Sequence, residues 1–591
     1  VVVGGGTGGA PAGIAAARQG AKTLVVEYLH GLGGIGTLGL ISKYYHGYRK
    51  GFTEEVDAGL ADLGGEKEGD SGQGQAWDTQ LKAEWFRREL RQAGADIWFG
   101  TLGCGALVHE GKVQGVVVTT PEGRGVVLAR VVIDSTGHAG MAASAGADCV
   151  VTGPAHIAVQ GTGLPPRDLG VRYTNTDYTF VDDLDVFDMW RTFVTSKEKF
   201  KNAYDLGQLI DARERRQIKG DFFLSPLDAY LGRTFPDTIV MAQSNFDSHG
   251  FTIHPMFMIR PPDRQSVPTY VPYRCLLPKG LDGILVTGLG VSAHRDVMPV
   301  IRMQPDIQNQ GYAAGIAAAT AAQSGVALRD IDMSTLQAHL VQKGILPQDV
   351  LKHKDSFPLP PEDIAEAVQT VTRQYEGLEK LFTQPERALP LLRAAYSQAE
   401  MPQDKFIYAH ILAIMGDPTG AGDLADAVCA QDWDEGWQYR GMGQFGSSIS
   451  GVDSFIIALG RTHDTEALAP ILDKVRQLGP EHAFSHHRAV AVALESLARP
   501  QAAPALAALL NKPNMTGHAF TDIDLARQNI QASATDNTTR EVSLRELVLA
   551  RALYRCGDDH GLGERILKEY ARDLRGHYRR HAQAILSEKT Q

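Results

Sequence analysis

The chain has 591 residues, of which 43% are hydrophobic and 21% charged, and a formal net charge of −11. That length calls for two or more domains with ample cores, and the composition is that of a globular protein. The acidic balance and the lack of a basic run argue against a nucleic-acid surface. No apolar stretch approaches the roughly eighteen residues of a membrane span. The five cysteines are scattered, without CxxC spacing, so neither a disulfide framework nor a metal site is expected. The first residue already lies inside a strand, which leaves any export signal out of view. A cytoplasmic location is the expectation.

The chain opens on Val1-Val2-Val3, then Gly4-x-Gly6-x-x-Gly9, an Ala-rich helix to Arg18, and a second apolar run ending in Glu27. This is the strand, glycine turn, helix, strand, acid order of a dinucleotide-binding βαβ unit. Gly4 allows the tight turn, Gly6 lets the backbone approach a diphosphate, and Gly9 lets helix and strand pack closely. The anion would meet the free N–H groups at the helix N-terminus, and Glu27 would accept from ribose hydroxyls. The glycine-rich run His30 to Gly39 reads as backbone passing close to a ligand.

Further on, Trp77 to Gly94 has helical periodicity, with Leu81, Trp85, Phe86 and Leu90 on one face. Strands are expected at Asp96–Phe99, Val113–Thr119 and Gly125–Leu128, with a turn at Pro121-Glu122-Gly123. Val131-Val132-Ile133-Asp134-Ser135-Thr136-Gly137 is a buried strand ending in Thr-Gly, followed by a small-residue helix over His138–Gly146. A mixed region from Gly153 to Lys279 carries Arg213-Glu214-Arg215-Arg216, Asp247-Ser248-His249-Gly250 and Tyr270-x-x-Tyr273-Arg274. Then come the strand Gly283–Gly288, His294, Arg302 and a second small-residue helix over Gln310–Ala322.

These motifs in this order, over about residues 1 to 340, resemble the FAD-dependent oxidoreductases related to succinate dehydrogenase and fumarate reductase flavoproteins, a group often associated with carbohydrate use. The resemblance implies an α/β fold: an FAD-binding Rossmann-like domain with an inserted α+β substrate domain. It divides the chain into 1–150 and 281–335 for FAD, with 151–280 as a substrate cap. It assigns Gly4, Gly6, Thr7, Gly8, Gly9, Glu27, Gly33, Gly34, Thr37, Thr136, Gly137, Gly288, Gln310 and Gly311 to FAD. The helix beginning near Gln308–Gly311 would point at the flavin pyrimidine edge and stabilise reduced flavin. His30 stands closer to Gly33-Gly34 than in relatives with covalent FAD, so covalent attachment is not expected.

Residues 336–387 read as linker helices, Pro-rich at Lys354–Glu362, and 388–591 as an all-α region of helix pairs. Turns at Gly416, Gly460 and Ala498 recur about every 40 residues, as in a HEAT-like solenoid. A polar insertion, Asn511–Arg540, lengthens the last interval. His482 with His486, and His577 with His581, are spaced i, i+4 without a completing ligand, and read as solvated helix faces.

For the chemistry, His294 is the first candidate base and His249 the second, with Arg302 holding a carboxylate, an alkoxide or the reduced-flavin charge. Tyr273 and Arg274 are candidate substrate donors. The arginines beside Glu214 read as a structural ion-pair cluster from which Arg216 reaches substrate. The leading expectation is hydride transfer through flavin N5 with a small polar substrate (sugar, polyol or hydroxy acid) and an unidentified electron acceptor. Alternatives are reduction of an activated alkene, and a flavin-containing interaction protein working through its helices. The solenoid offers a surface for a homo-oligomer or a protein partner.

Overall fold

A computed structural model describes residues 1–64, 76–157, 159–164, 166–169, 179–262, 265–437, 449–531 and 537–588. In chain order the first part forms β1 (Val2–Val3), α1 (Gly9–Arg18), β2 (Leu24–Val26), α2 (Phe52–Asp62), α3 (Thr79–Gln92), β3 (Asp96–Trp98), β4 (Leu102–His109), β5 (Lys112–Thr120), β6 (Gly123–Leu128), β7 (Val132–Asp134) and α4 (Gly140–Ser144). The inserted part holds β8 (Cys149–Val150), β9 (Pro166–Arg167), α5 (Val186–Lys199), β10 (Asp205–Leu206), β11 (Gln217–Ile218), α6 (Pro226–Tyr230), β12 (Thr238–Ser244) and β13 (Val267–Pro272). The chain then returns through β14 (Ile284–Val286), α7 (Met298–Ile301), α8 (Gln304–Ser324) and α9 (Met333–Gln342).

β14, β7, β1, β2 and β3 form one parallel sheet in that order. Val2 registers with Val25 on one side and Ile133 on the other, and Ile284 with Val132. Parallel pairing puts the C-terminal ends of β1, β7 and β14 side by side, so the turns at Gly4, Gly137 and Gly288 share one edge. That is where an open α/β sheet binds its ligand. Covering the sheet, α8 crosses α1 with Gly311 against the Gly8 carbonyl and Gly315 against the Ala12 carbonyl, where a Cβ would collide. Only glycine permits that approach. α8 begins at Gln304, a turn earlier than expected, because Pro305 can occupy a first-turn position that donates no hydrogen bond.

β4, not anticipated, pairs with β5 and β6 in an antiparallel sheet. Its half-exposed glycine-containing sequence weakens the alternation that marks a strand. The helix expected over His138–Gly146 shrinks to the five residues of α4, which sits between positive-φ turns at Ala139 and Gly146.

Beyond residue 342 come α10 (Pro361–Thr370), α11 (Leu378–Leu381), α12 (Pro385–Gln398), α13 (Pro402–Ile414), α14 (Ala421–Ala430), α15 (Gly451–Arg461), α16 (Leu468–Gln477), α17 (Phe484–Leu497), α18 (Ala503–Leu510), α19 (Ile523–Gln528), α20 (Asn537–Arg555), α21 (Leu562–Tyr570) and α22 (Gly576–Glu588). Two rows result: α13, α15, α17 and α20 pack in succession, with α14, α16, α18 and α21 alongside them. The α15–α17 contact is close because Gly460 lies on the Ala493 backbone. The segment after Lys354 is pinned to the inserted part, with Arg233 Nε donating to Asp355 Oδ1 at 2.9 Å. Part of the insertion expected at 511–540, namely 532–536, lies outside the described residues.

The solvated-histidine expectation fails. His486, His577 and His581 are buried, and His482 precedes α17 instead of lying on it. The burial of α22 escaped notice because its partners are distant in sequence: His577 Nδ1 meets Thr152 Oγ1 at 2.7 Å and His581 Nδ1 meets Gly153 O at 2.6 Å.

His410, buried between Tyr375 Oη at 2.8 Å and Ser454 Oγ at 2.9 Å, is pushed down to about 3 by burial. Burial pushes His487 down to about 3 as well. An unfolded histidine takes up its proton near pH 6.5 while these do not. Stability is therefore complete above pH 6.5 and is lost as pH falls toward 3, by on the order of 5 kcal/mol per residue at most. The expected outcome is a melting temperature that drops steadily from pH 6.5 to 4.5, above the carboxylate range, with a shallower slope in His410→Gln. A flat profile over that window would contradict this.

Candidate active site at the edge of the parallel sheet

The turn after β1 has Gly4 at φ +91°. Gly5 N donates to Glu27 Oε2 at 2.7 Å and Leu29 N to Glu27 Oε1 at 2.9 Å, so the acid also braces the turn. Burial raises the Glu27 pKa, against the pull of those backbone N–H groups. The loop Gly31–Gly39 folds onto the same turn. Gly33 N donates to Gly5 O at 2.9 Å, Thr7 Oγ1 to Gly33 O at 3.2 Å, and a Cβ on Gly34 would stand 2.8 Å from Thr7 N. Thr37 Oγ1 donates to Leu32 O within the loop. Asp134 organises the second strand end, its Oδ1 accepting from Thr136 N at 3.1 Å and Oγ1 at 2.7 Å. At the third, Gly288 N donates to Gln310 Oε1 at 2.6 Å.

These turns open on one cavity of about 720 Å³, within the usual range for ligand pockets. Of the residues assigned to FAD, Gly4, Gly6, Thr7, Gly8, Glu27, Gly34, Thr136, Gly137 and Gly288 line it. Gly9, Gly33, Thr37, Gln310 and Gly311 do not; they stand behind the lining and set the path of its backbone. The glycine cradle fits a diphosphate: beside Gly6 nothing lies closer to a built Cβ than Gly34 Cα at 3.8 Å. Two buried acceptors on the wall, Asp183 Oδ1 and Asn245 Oδ1, have no hydrogen-bond partner among the described residues and suit the hydroxyls or ring edge of a bound FAD.

At the other end the chain after β12 makes tight turns, with Asp247 N donating to Asn245 O at 2.8 Å and Ser248 N to Phe246 O at 2.7 Å, and Asn245, Asp247 and His249 all reach the cavity while Phe246 is buried in the core. His249 Nε2 meets Asp247 Oδ2 at 2.9 Å. Arg302 donates to Asp247 O at 2.8 Å and to Gln160 Oε1 at 2.7 Å. Burial would raise the Asp247 carboxyl, but His249, Arg302 and Arg213 hold it well below the usual carboxylate range. An ionised carboxylate thus orients an imidazole beside a guanidinium, an arrangement able to move one proton and hold one negative charge.

His249, the second candidate base, lies with Arg302 on the cavity wall; His294, the first, is not with them. Its Nδ1 accepts from Asp296 N at 3.1 Å, and its ring faces His254 at 5.5 Å, away from the cavity. The cause is the pairing of Ala293 with Leu224, which turns the segment under the cap. Tyr273 and Arg274 also lie elsewhere. Tyr273 Oη donates to Leu328 O at 3.1 Å, and Arg274 Nε pairs with Asp237 Oδ2 at 3.0 Å. Arg216 does line the cavity, its Nε donating to His138 O at 3.0 Å. The arginines around it form no single cluster: Arg213 pairs with Asp211, Arg215 with Asp183, and Glu214 with Arg295. Asn245, Asp247, His46 and His138 were missed as lining residues, since no local pattern in the sequence sets them apart. His30 stacks on Phe99 at 6.5 Å outside the main cavity. Among the described residues no cluster of three metal-ligating groups occurs, and no helix is long and apolar enough to cross a membrane.

Solved structures similar to this chain include THI4 of Thermovibrio ammonificans, at 21% identity, covering 26% of this chain and 64% of that one, TM-score 0.21. The chain therefore spans less than two thirds of that protein. A geranylgeranyl bacteriochlorophyll reductase-like protein of Thermoplasma acidophilum aligns at 14% identity over 72% of this chain and 98% of its own, TM-score 0.32. The anhydrotetracycline hydroxylase OxyS of Streptomyces rimosus aligns at 14% over 70% and 75%, TM-score 0.29. Likeness at this level carries no argument about substrate. No curated protein matches the sequence. A sequence profile described as FAD dependent oxidoreductase matches residues 1–202 and 181–340, more than half of the chain. The protein belongs to the FAD-dependent oxidoreductase family, and its cofactor is FAD.

Proposed function

We propose that the protein exchanges a hydride with a small polar substrate, a sugar, polyol or hydroxy acid, and that His249, Asp247 and Arg302 manage the accompanying proton and charge. The observation that carries this reading is the Asp247–His249 pair, 2.9 Å apart, beside Arg302 on one wall of the cavity. Bound FAD supplies the hydride chemistry at its N5. His249 takes the proton of the substrate hydroxyl, and Asp247 holds the imidazole in the tautomer that can accept it. Arg302 stabilises the negative charge that develops on the substrate oxygen. Asn245, with its buried unpartnered Oδ1, accepts from a second hydroxyl. Residues 1–150 and 281–335 act as the FAD domain, 151–280 as the substrate cap, 336–387 as linker helices and 388–591 as a HEAT-like solenoid.

Anaerobic bleaching of the oxidised flavin bands, near roughly 370 and 450 nm, across a panel of sugars, polyols and hydroxy acids tests the substrate class. At least one class is expected to bleach them. If none does, while enoates reoxidise dithionite-reduced protein, the alkene-reductase reading replaces this one. Asp247→Asn is expected to slow flavin reduction by about 10²–10⁴-fold with FAD content unchanged; an unaltered rate removes the pair from the mechanism. Glu27→Ala is expected to speed FAD release by about tenfold or more, since it loses a charge-assisted acceptor and the brace on Gly5. Release at the wild-type rate would contradict the role of Glu27.

A further inference from the structure

The last helix of the chain connects to the cofactor cavity through a short series of contacts. α22 sets its first turn against the segment Val181–Asp188. Gly576 N donates to Asp188 Oδ2 at 2.8 Å, and the same oxygen accepts from Asp182 N at 2.9 Å. Arg580 Nε donates to Asp182 Oδ2 at 2.6 Å, Arg579 pairs with Asp185, and His577 Nε2 meets Val181 O at 3.2 Å. The fit is flush: a Cβ on Gly576 would stand 2.6 Å from Asp182 Cβ and 2.8 Å from Asp185 Cβ. Asp182 and Asp188 are buried; Asp182 depends on Arg580 to balance its charge, while Asp188 is paired with Arg191 Nε at 2.8 Å and takes the Gly576 N–H as a further donor.

Between those two anchored acids lies Asp183, and its carboxylate faces the cavity instead. Its Oδ2 pairs with Arg215 Nε at 2.9 Å, while Oδ1 is buried without a hydrogen-bond partner among the described residues. The Arg215 guanidinium fills the space a side chain at Gly137 would take. Tyr28, next to Glu27, is close enough to feel both charges, which puts the pair on the Glu27 side of the cavity, opposite in role to the His249 end. A buried acceptor without a partner, next to a cation on the strand-end turn, suits a sugar hydroxyl beside a phosphate oxygen.

We propose that Asp183 and Arg215 are FAD-binding residues contributed by the cap, and that α22 is a latch: Arg580 and Gly576 are positioning residues that hold the 181–188 turn on the cofactor. Asp183 accepts from a hydroxyl of the sugar–phosphate portion of FAD, and Arg215 faces its negative charge. The helical array is thereby part of the cofactor site although α22 itself does not reach the cavity. The inference rests on the cavity being the FAD site, which the Glu27→Ala variant tests separately.

The test is the rate of FAD release from the holoprotein, followed by flavin fluorescence after dilution, in Asp183→Asn, Arg580→Ala and the double variant. Each single change is expected to speed release about tenfold, and the double change no more than the faster single, because both break one linkage. Arg580→Lys should recover part of the loss. Should Arg580→Ala unfold the array, Gly576→Ala perturbs the same contact without removing a charge and is expected to speed release likewise. Melting temperature and far-ultraviolet dichroism separate loosening of the latch from unfolding. Release at the wild-type rate in Asp183→Asn, or in both α22 variants, overturns the proposal. So does a double variant whose effect is the product of the two singles.

Discussion

Parallel pairing of β14 with β7 and of β7 with β1 is the constraint on which the rest depends. It gathers turns from residues 4, 137 and 288 onto one sheet edge, and each turn is a glycine at positive φ. The edge survives only because α8 packs directly on α1 through Gly311 and Gly315. That close approach fixes the start of α8 at Gln304, and with it Arg302 just upstream, relative to the first turn. The cavity is thus built by backbone geometry first, and side chains decorate a shape that already exists.

The chemistry at the far end comes from a different source. Asn245, Asp247 and His249 lie beyond the end of β12, in the inserted segment, whereas Arg302 belongs to the return segment. Their meeting requires the insertion to fold back over the sheet edge. Partial burial of Asp247 as an anion is costly by itself, and the His249 hydrogen bond together with the Arg302 and Arg213 charges, which hold its pKa down, offset that cost. Such a polar group persists in a buried wall only where every partner is present. The same logic holds where the C-terminal helices meet the inserted segment: Asp182 and Asp188 are buried, Asp182 against Arg580 of α22 and Asp188 against Arg191 of α5.

Legibility in the sequence followed the range of the determining contacts. Gly4, Gly6 and Glu27 were readable because the turn, the helix and the acid lie within one local unit, and Asp134 to Gly137 because a β-branched run ends in Thr-Gly. His294 sits at a plausible distance after a glycine-ended strand, yet its direction is decided by pairing with Leu224, seventy residues earlier. Tyr273 and Arg274 failed for a similar reason, since Leu328 and Asp237 claim their polar atoms. His577 and His581 looked solvated because their acceptors, near Thr152 and Gly153, are more than four hundred residues away. The helix pairs from α13 to α18 were visible from their spacing, but no local pattern announces that the array docks on the cap.

The central claim is that the proton-handling group stands on the segment after β12 and not on the segment after β14. Single-turnover reduction of the flavin in His249→Asn and His294→Asn, each with a full complement of FAD, tests it most directly. The account predicts a loss of about 10²–10⁴-fold for His249→Asn and a rate close to wild type for His294→Asn. The reverse pattern, with His294→Asn crippled and His249→Asn unaffected, would contradict it.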